Sequence, residues 1–262
     1  KNLCMDACKY GAIDFNMKPE TVRLKAGVVA MTTGWNPYDA TKMDNLGFGK
    51  VKNVVTNMMM ERLASPNGPT AGRILRPSDK KEVKNIAFVQ CAGSRDENHL
   101  AYCSSVCCLA SLKQATYVRE LYPDSKAQIF YIDIRTPGLY ENRFLWKVQE
   151  DTNVTLTKGK VAGISEDPAT GDVIIEAEDI HAGKKIKAKF DMVVLASGMV
   201  PNTAEMKRAC GITVTDDGFV NAPELKKGIY AAGTLKSPVD VARSVQDATG
   251  VVMKSIQSLR RG

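Results

Sequence analysis

Long apolar runs are missing from this sequence. No stretch approaches the roughly 18–20 consecutive apolar residues of a membrane-crossing helix, which excludes a helical span. There is no signal peptide either, because Lys1-Asn2-Leu3-Cys4 opens into no apolar h-region. The chain also lacks an initiator methionine and starts in mid-motif, so it reads as a fragment of a longer protein. Histidine is scarce: His99 and His181 are the only two, each alone in a polar context, and both read as surface residues. No Ser-His-Asp arrangement, zinc spacing or paired-carboxylate site stands out.

What remains is a chain of ordinary globular composition. Its 262 residues are 44% hydrophobic and 25% charged, enough for one or two domains with real cores. The formal net charge is +7, but the basic residues are scattered apart from Lys184-Lys185, Lys187, Lys189 and the tail Arg260-Arg261. That pattern suits a solvated face able to meet an acidic partner better than a nucleic-acid groove. Seven cysteines, an odd number with two adjacent, make a poor disulfide framework and read better as redox or metal ligands of a cytoplasmic protein.

Along the chain, Cys4 to Phe15 forms a separate motif. Strand-like alternation in Thr21–Lys25 precedes an apolar strand, Gly27–Met31, that ends at Thr32-Thr33-Gly34. Val54–Ala64 reads as helix, its Met58-Met59-Met60 run as packing, and the turn-rich stretch from Ser65 to Asp79 as a crossing between domains. A new unit opens at Ile86-Ala87-Phe88-Val89-Gln90. A helix from about Ser104 to Leu121 and a strand, Gln128–Asp133, follow; strand, helix and strand in this order predict a parallel βαβ unit. A further helix is predicted over Tyr140–Glu150. Val154–Thr157, Val173–Ala177 and Lys185–Phe190 alternate like antiparallel strands, and Met192–Ala196 ends the unit at Ser197-Gly198. Gly228–Thr234 is another apolar strand ending at glycine, and it leads through Pro238 into a helix over about Asp240–Leu259.

The chemistry concentrates after the first strand of the central unit, where four cysteines stand as Cys91-x11-Cys103-x3-Cys107-Cys108. A dinucleotide-binding domain would carry its glycine-rich phosphate loop here. Thiolates in sets of four hold iron–sulfur clusters without needing even spacing. Cys103 and Cys107 are four apart and share a helix face, whereas Cys108 points away. The set converges only at a helix N-terminus or irregular turn, whose positive end favours thiolates. Inert buried cysteines and a redox pair, Cys103 with Cys108, are the competing readings. Upstream, Cys4-x3-Cys8 before Gly11-Ala12-Ile13 looks like the end of a bacterial ferredoxin motif with Lys9 in place of proline. Two thiols cannot complete a cluster alone.

The order of these motifs resembles the pyridine nucleotide-disulfide oxidoreductase class. Ala30–Gly34 looks like the entry to an inserted second domain, Ala196–Asn202 like its exit, and Gly228–Thr234 like the late flavin motif. The stretches Phe88–Glu97, Tyr102–Cys108 and Gly233–Pro238 are similar to the A-type subunits of heterodisulfide reductase and of the quinone-interacting membrane-bound oxidoreductase. The resemblance implies an α/β, two-dinucleotide-binding (Rossmann-like) flavoprotein fold with the N-terminal part of the FAD domain missing. The Gly-x-Gly-x-x-Gly fingerprint that should open such a domain is absent, and Thr234 stands where the broader class carries Asp.

The implied divisions are residues 1–16 as the end of a ferredoxin-like motif and 17–83 as the first part of an FAD domain. Residues 84–202 would be an NAD-type domain carrying the cysteines, and 203–262 the rest of the FAD domain. The implied cofactors are FAD and a 4Fe–4S cluster on Cys91, Cys103, Cys107 and Cys108, with Cys4 and Cys8 as further ligands. FAD would lie against Thr33, Gly34, Gly233 and Thr234, with the helix starting at Asp240-Val241 facing its ring. The implied function is electron relay between flavin and cluster in an oxidoreductase complex. Its partners would be iron–sulfur and membrane quinone-reacting subunits, with no nucleic acid, at the cytoplasmic side. Asp133 sits where an NAD ribose ligand would, but Cys91-Ala92-Gly93-Ser94 lacks the glycines for the pyrophosphate. The alternatives are an NAD(P)H-dependent disulfide reductase using Cys103 and Cys108, and a scaffold with no redox centre.

Overall fold

The computed structural model describes residues 2–260, so Arg261 of the basic tail lies outside the described residues. Five parallel strands form the central sheet, in the order β3 (Val54–Thr56), β10 (Met192–Ser197), β4 (Asn85–Ala92), β5 (Lys126–Tyr131) and β6 (Val154–Lys158). β4 and β10 are apolar runs buried on both faces, as the centre of a covered parallel sheet requires. Ile86, Phe88, Val194 and Ile129 pack on one face against α2 (Asn57–Ala64) and α3 (Cys107–Leu121). Ala87, Val89, Val193 and Leu195 pack on the other against a three-stranded antiparallel layer. β3 lies within residues 17–83, yet it hydrogen-bonds into the sheet of residues 84–202.

The antiparallel layer is β7 (Val161–Glu166), β8 (Val173–Asp179) and β9 (Lys184–Phe190). This corrects one expectation: Val154–Thr157 does not join that layer but pairs parallel with β5, and β7 takes its place. The lysines of β9 alternate along an edge strand and face solvent, with Lys187 on Glu176 at 2.8 Å, which blunts the edge against further pairing.

A small parallel pair, β1 (Val29–Met31) with β12 (Ile229–Ala231), forms a second centre around Met31, Ile212, Val220 and Leu235. α5 (Ala204–Cys210) precedes β12 and α6 (Val241–Arg260) follows it. The short antiparallel pair β2 (Trp35–Pro37) and β11 (Met199–Pro201) joins the two connecting segments. There the Thr33 hydroxyl donates to the Asn202 carbonyl at 2.7 Å, and Asn202 N–H to Gly34 O at 3.0 Å.

Several local readings shift. Thr21–Lys25 is not a strand. Thr56 splits Val54–Ala64 into a strand and a helix, capping α2 by accepting from Met59 N–H at 3.3 Å. Only Met60 of its methionine run is buried; Met58 and Met59 stay exposed. Tyr140–Glu150 opens as a π-helix over Glu141–Leu145 before α4 (Trp146–Glu150). α3 begins at Cys107, not Ser104, so Cys103 to Ser105 lie in a loop.

Candidate functional site

The four cysteines gather where β4 ends and α3 begins. β4 and β10 flank the point where the sheet order reverses, the usual place for ligands in such sheets. The two strands lose register here: Leu195 faces Val89 and Ser197 faces Ala92, so Gln90 and Cys91 together oppose Ala196 alone. Such a bulge re-aims side chains. Cys91 takes φ +55° in it, and Arg95 and Ser105 follow with φ +56° and +65°. Left-handed backbone at three non-glycine residues of one loop is costly and must be held by its surroundings.

The holding contacts are specific. Ser104, fully buried, bonds the Ser94 hydroxyl at 2.7 Å and accepts from Met199 N–H at 2.8 Å. The Tyr102 hydroxyl donates to Met199 O at 2.7 Å, its ring edge-on to Phe219. Ser105 Oγ donates to Pro238 O at 2.9 Å. Gly198 admits the loop because a Cβ there would lie 2.6 Å from both Leu100 and the Ser94 hydroxyl.

All four thiols are free, with Cys107 and Cys108 buried and Cys91 and Cys103 half-buried. Burial pushes Cys107 up to about 12, and repulsion from Cys108, Cys91 and Cys103 adds to it. Burial raises Cys91 too, followed by the charge of Cys108, while Arg95 pulls the other way. Burial likewise raises Cys108, whose thiol donates to Asp133 O at 3.6 Å. Cys91, Cys107 and Cys108 are thus held as neutral thiols within electrostatic reach of one another, so a ligand binding them must displace protons. Among the described residues no three Cys, His, Asp or Glu side chains form a group that could hold a metal ion as they stand. Asp133 is engaged by Arg95 at 2.8 Å, which holds its carboxyl below the usual range.

Beside the loop lies a cleft of about 640 Å³. Gly34, Gly233, Thr234, Asp240 and Val241 all line it, together with Trp35, Val106 and Met199, which the sequence does not single out as site residues. Gly34 and Gly233 lie just beyond the paired strands β1 and β12 with φ +72° and +71°, a conformation glycine adopts without strain. Thr33 does not line the cleft, since its hydroxyl is spent on Asn202. Asp240 caps α6 by accepting from Arg243 N–H at 2.8 Å, so the positive end of a 20-residue helix opens at the cleft. Asp247 also escapes a reading of the sequence. It accepts from Gly233 N–H at 2.8 Å and from Lys236 at 2.6 Å, and these contacts outweigh its burial and hold its carboxyl below the usual range.

Cys4 lies on the short exposed helix α1 (Leu3–Ala7), and the Cys8 sulfur accepts from Ala12 N–H at 3.4 Å. Main-chain N–H groups, Ala12 first, lower the Cys8 thiol. His181 is exposed, but His99 is half-buried, its Nδ1 2.9 Å from the Tyr38 hydroxyl, which corrects its reading as a surface residue.

No protein-family model matches the chain. It is 35% identical over 96% of its length to the second A-type iron-sulfur subunit of the CoB–CoM heterodisulfide reductase of Methanopyrus kandleri, covering 40% of that relative. It is 36% identical over 95% of its length to the corresponding iron-sulfur protein of Methanocaldococcus jannaschii, covering 39% of it. The A-type subunit of the H(2):CoB-CoM heterodisulfide,ferredoxin reductase of Methanothermobacter thermautotrophicus is 32% identical over 99% of the chain, which spans 41% of it. The chain therefore spans about two-fifths of the length of these curated relatives. Among solved structures it superposes on T. acidophilum thioredoxin reductase with TM-score 0.54 and 17% identity, covering 88% of this chain and 64% of that one, which shows a shared fold. Over nearly all of its length, this chain is similar to a segment of the A-type subunit of heterodisulfide reductase, and it shares the Rossmann-like α/β fold of thioredoxin reductase.

Proposed function

We propose that this segment is the flavin- and iron–sulfur-bearing electron-transfer part of a heterodisulfide-reductase-like complex. The observation that carries the reading is contiguity: Val106 lines the cleft and directly precedes Cys107 and Cys108 on the first turn of α3. When bound, a flavin supplies two-electron chemistry and a 4Fe–4S cluster one-electron steps. Gly34, Gly233 and Thr234 offer the flavin close backbone approach, and the α6 N-terminus faces negative charge on its ring. Cys91, Cys103, Cys107 and Cys108 supply the thiolates. A cluster spaces its thiolates more widely than a single ion does, which fits thiols that sense one another without closing on a point. Ser104, Tyr102 and Met199 keep cysteine loop and cleft in one frame, which sets the distance an electron crosses. Cys4 and Cys8 belong, in this reading, to a separate cluster with outside ligands.

Among the described residues no helix is long and apolar enough to cross a membrane. In the proposed reading, partner iron–sulfur and quinone-reacting subunits bring this segment to the cytoplasmic face of the membrane. The proposed division follows residues 1–16, 17–83, 84–202 and 203–262. The test is iron, labile sulfide and flavin content of anaerobically reconstituted protein, with EPR after dithionite. About four irons per chain, lost in Cys108→Ala, support the reading. No iron, with two thiols appearing on reduction, would favour a Cys103–Cys108 disulfide reductase instead.

A further inference from the structure

Two buried side chains beside the cysteines have polar atoms with nothing to bond. Gln90 immediately precedes Cys91 and is 6% exposed, yet neither its amide nitrogen nor its amide oxygen has a partner. Among the described residues it is the one buried side chain whose whole amide group is left over. Ser111, fully buried in α3, has an unpartnered hydroxyl as well. It does not take the usual outlet for a helical serine, the carbonyl four residues back. Gln114, the next buried polar residue of α3, is different: its amide nitrogen is bonded to Asn57 O at 3.0 Å and Glu61 at 2.9 Å, and only its oxygen is free.

Both side chains are placed toward the same spot. Strand alternation puts Gln90 on the face of β4 that carries Ile86 and Phe88, which pack against α3. In a βαβ unit the helix returns antiparallel to its strand, so the end of β4 meets the first turns of α3. Ser111 lies four residues after Cys107 and three after Cys108, one turn below both on the same helix side. An unpaired buried amide destabilises the fold, and native cores rarely keep one without use.

We propose that Gln90 Nε2 and Ser111 Oγ are donors reserved for the sulfur atoms of the cluster held by Cys91, Cys103, Cys107 and Cys108. This rests on the cluster reading above and adds to it the residues that position and tune the group. Hydrogen bonds to cluster sulfurs stabilise the more negative, reduced form and raise the reduction potential. Gln90 and Ser111 are thus positioning residues, acting through hydrogen bonds and not as ligands.

The experiment compares wild type, Gln90→Leu and Ser111→Ala after anaerobic reconstitution, by iron content and EPR-monitored redox titration. The metal-free proteins are melted in parallel. Iron content should be retained, and the midpoint potential should shift to more negative values in both variants, further in Gln90→Leu. Metal-free Gln90→Leu should melt above metal-free wild type, because the variant no longer buries an unpaired amide. An unmoved potential in Gln90→Leu, loss of its iron, or a lower metal-free melting temperature overturns the proposal, the last two assigning Gln90 an ordinary structural role. An unmoved potential in Ser111→Ala alone removes Ser111 from it. Wild type that takes up no iron sinks the cluster reading and this proposal together, whereas four irons with unmoved variant potentials sinks only this one.

Discussion

Ser104→Ala tests whether the cysteine loop is held as described. The Ser104 side chain is fully buried and serves two partners: the Ser94 hydroxyl at 2.7 Å and Met199 N–H at 2.8 Å. Alanine fits the space but leaves both partners buried without a bond. Each orphaned group costs about 1–3 kcal/mol, so the expected loss is about 2–4 kcal/mol after partial relaxation. Urea unfolding of the metal-free protein, followed by tryptophan fluorescence, measures it; Trp35 lines the adjoining cleft and reports locally. Ser94→Ala removes only one bond and should cost about half as much, with a coupling near 1 kcal/mol in the double-mutant cycle. A loss below about 0.5 kcal/mol for Ser104→Ala would refute the argument, since buried orphaned donors cannot be that cheap. Because Met199 also lines the cleft, flavin affinity should fall in the same variant.

Three further outcomes follow from the packing. Gly198→Ala drives a methyl into Leu100 and the Ser94 hydroxyl, and should cost about 1–3 kcal/mol in urea unfolding while lowering iron uptake. Arg76→Ala should cost about 3 kcal/mol: Arg76 is 5% exposed and ties Asp172 at 2.7 Å and Thr170 O at 3.1 Å, while partly exposed Asp172 keeps some solvation. Metal-free protein should lose stability from about pH 9 upward, because a thiol raised on folding contributes stability that is complete below its unfolded value. Burial raises Cys107 to about 12, so the loss continues toward that pH. Urea midpoints between about pH 8 and pH 10 should fall more for wild type than for Cys107→Ala; equal slopes would contradict the burial of Cys107.

The parts of the fold legible in the sequence are those whose local pattern has one solution. The apolar runs at Ile86–Val89 and Met192–Ala196 suit only a strand covered on both faces, and both are central strands. The misplacement of Val154–Thr157 shows the limit. Its alternation is the same whether it pairs parallel at a sheet edge or antiparallel in a second layer, so the partner decided, and β5 won it. Helix α3 starts three residues late because Ser104 and Ser105 spend their polar groups on Met199 and Pro238, contacts 95 and 133 residues distant in sequence. Asp247 was invisible for the same reason: an acidic residue inside a helix carries no local sign that it holds the Gly233 turn.

Residue type and spacing were enough to mark the central strands β4, β5 and β10, the concentration of four thiols after one of them, and glycine just past two others. Side-chain period, thiol chemistry and glycine's freedom are local properties, so a linear reading reaches them. Packing between distant segments settled the rest: both glycine turns face one cleft, Val106 joins this cleft to the thiols, and a register shift against β10 puts Cys91 in a left-handed bulge near the end of β4. It also left Gln90 buried and unpaired. Such features depend on which strand lies beside which and on what fills the space between, and no stretch of sequence specifies that without its partner.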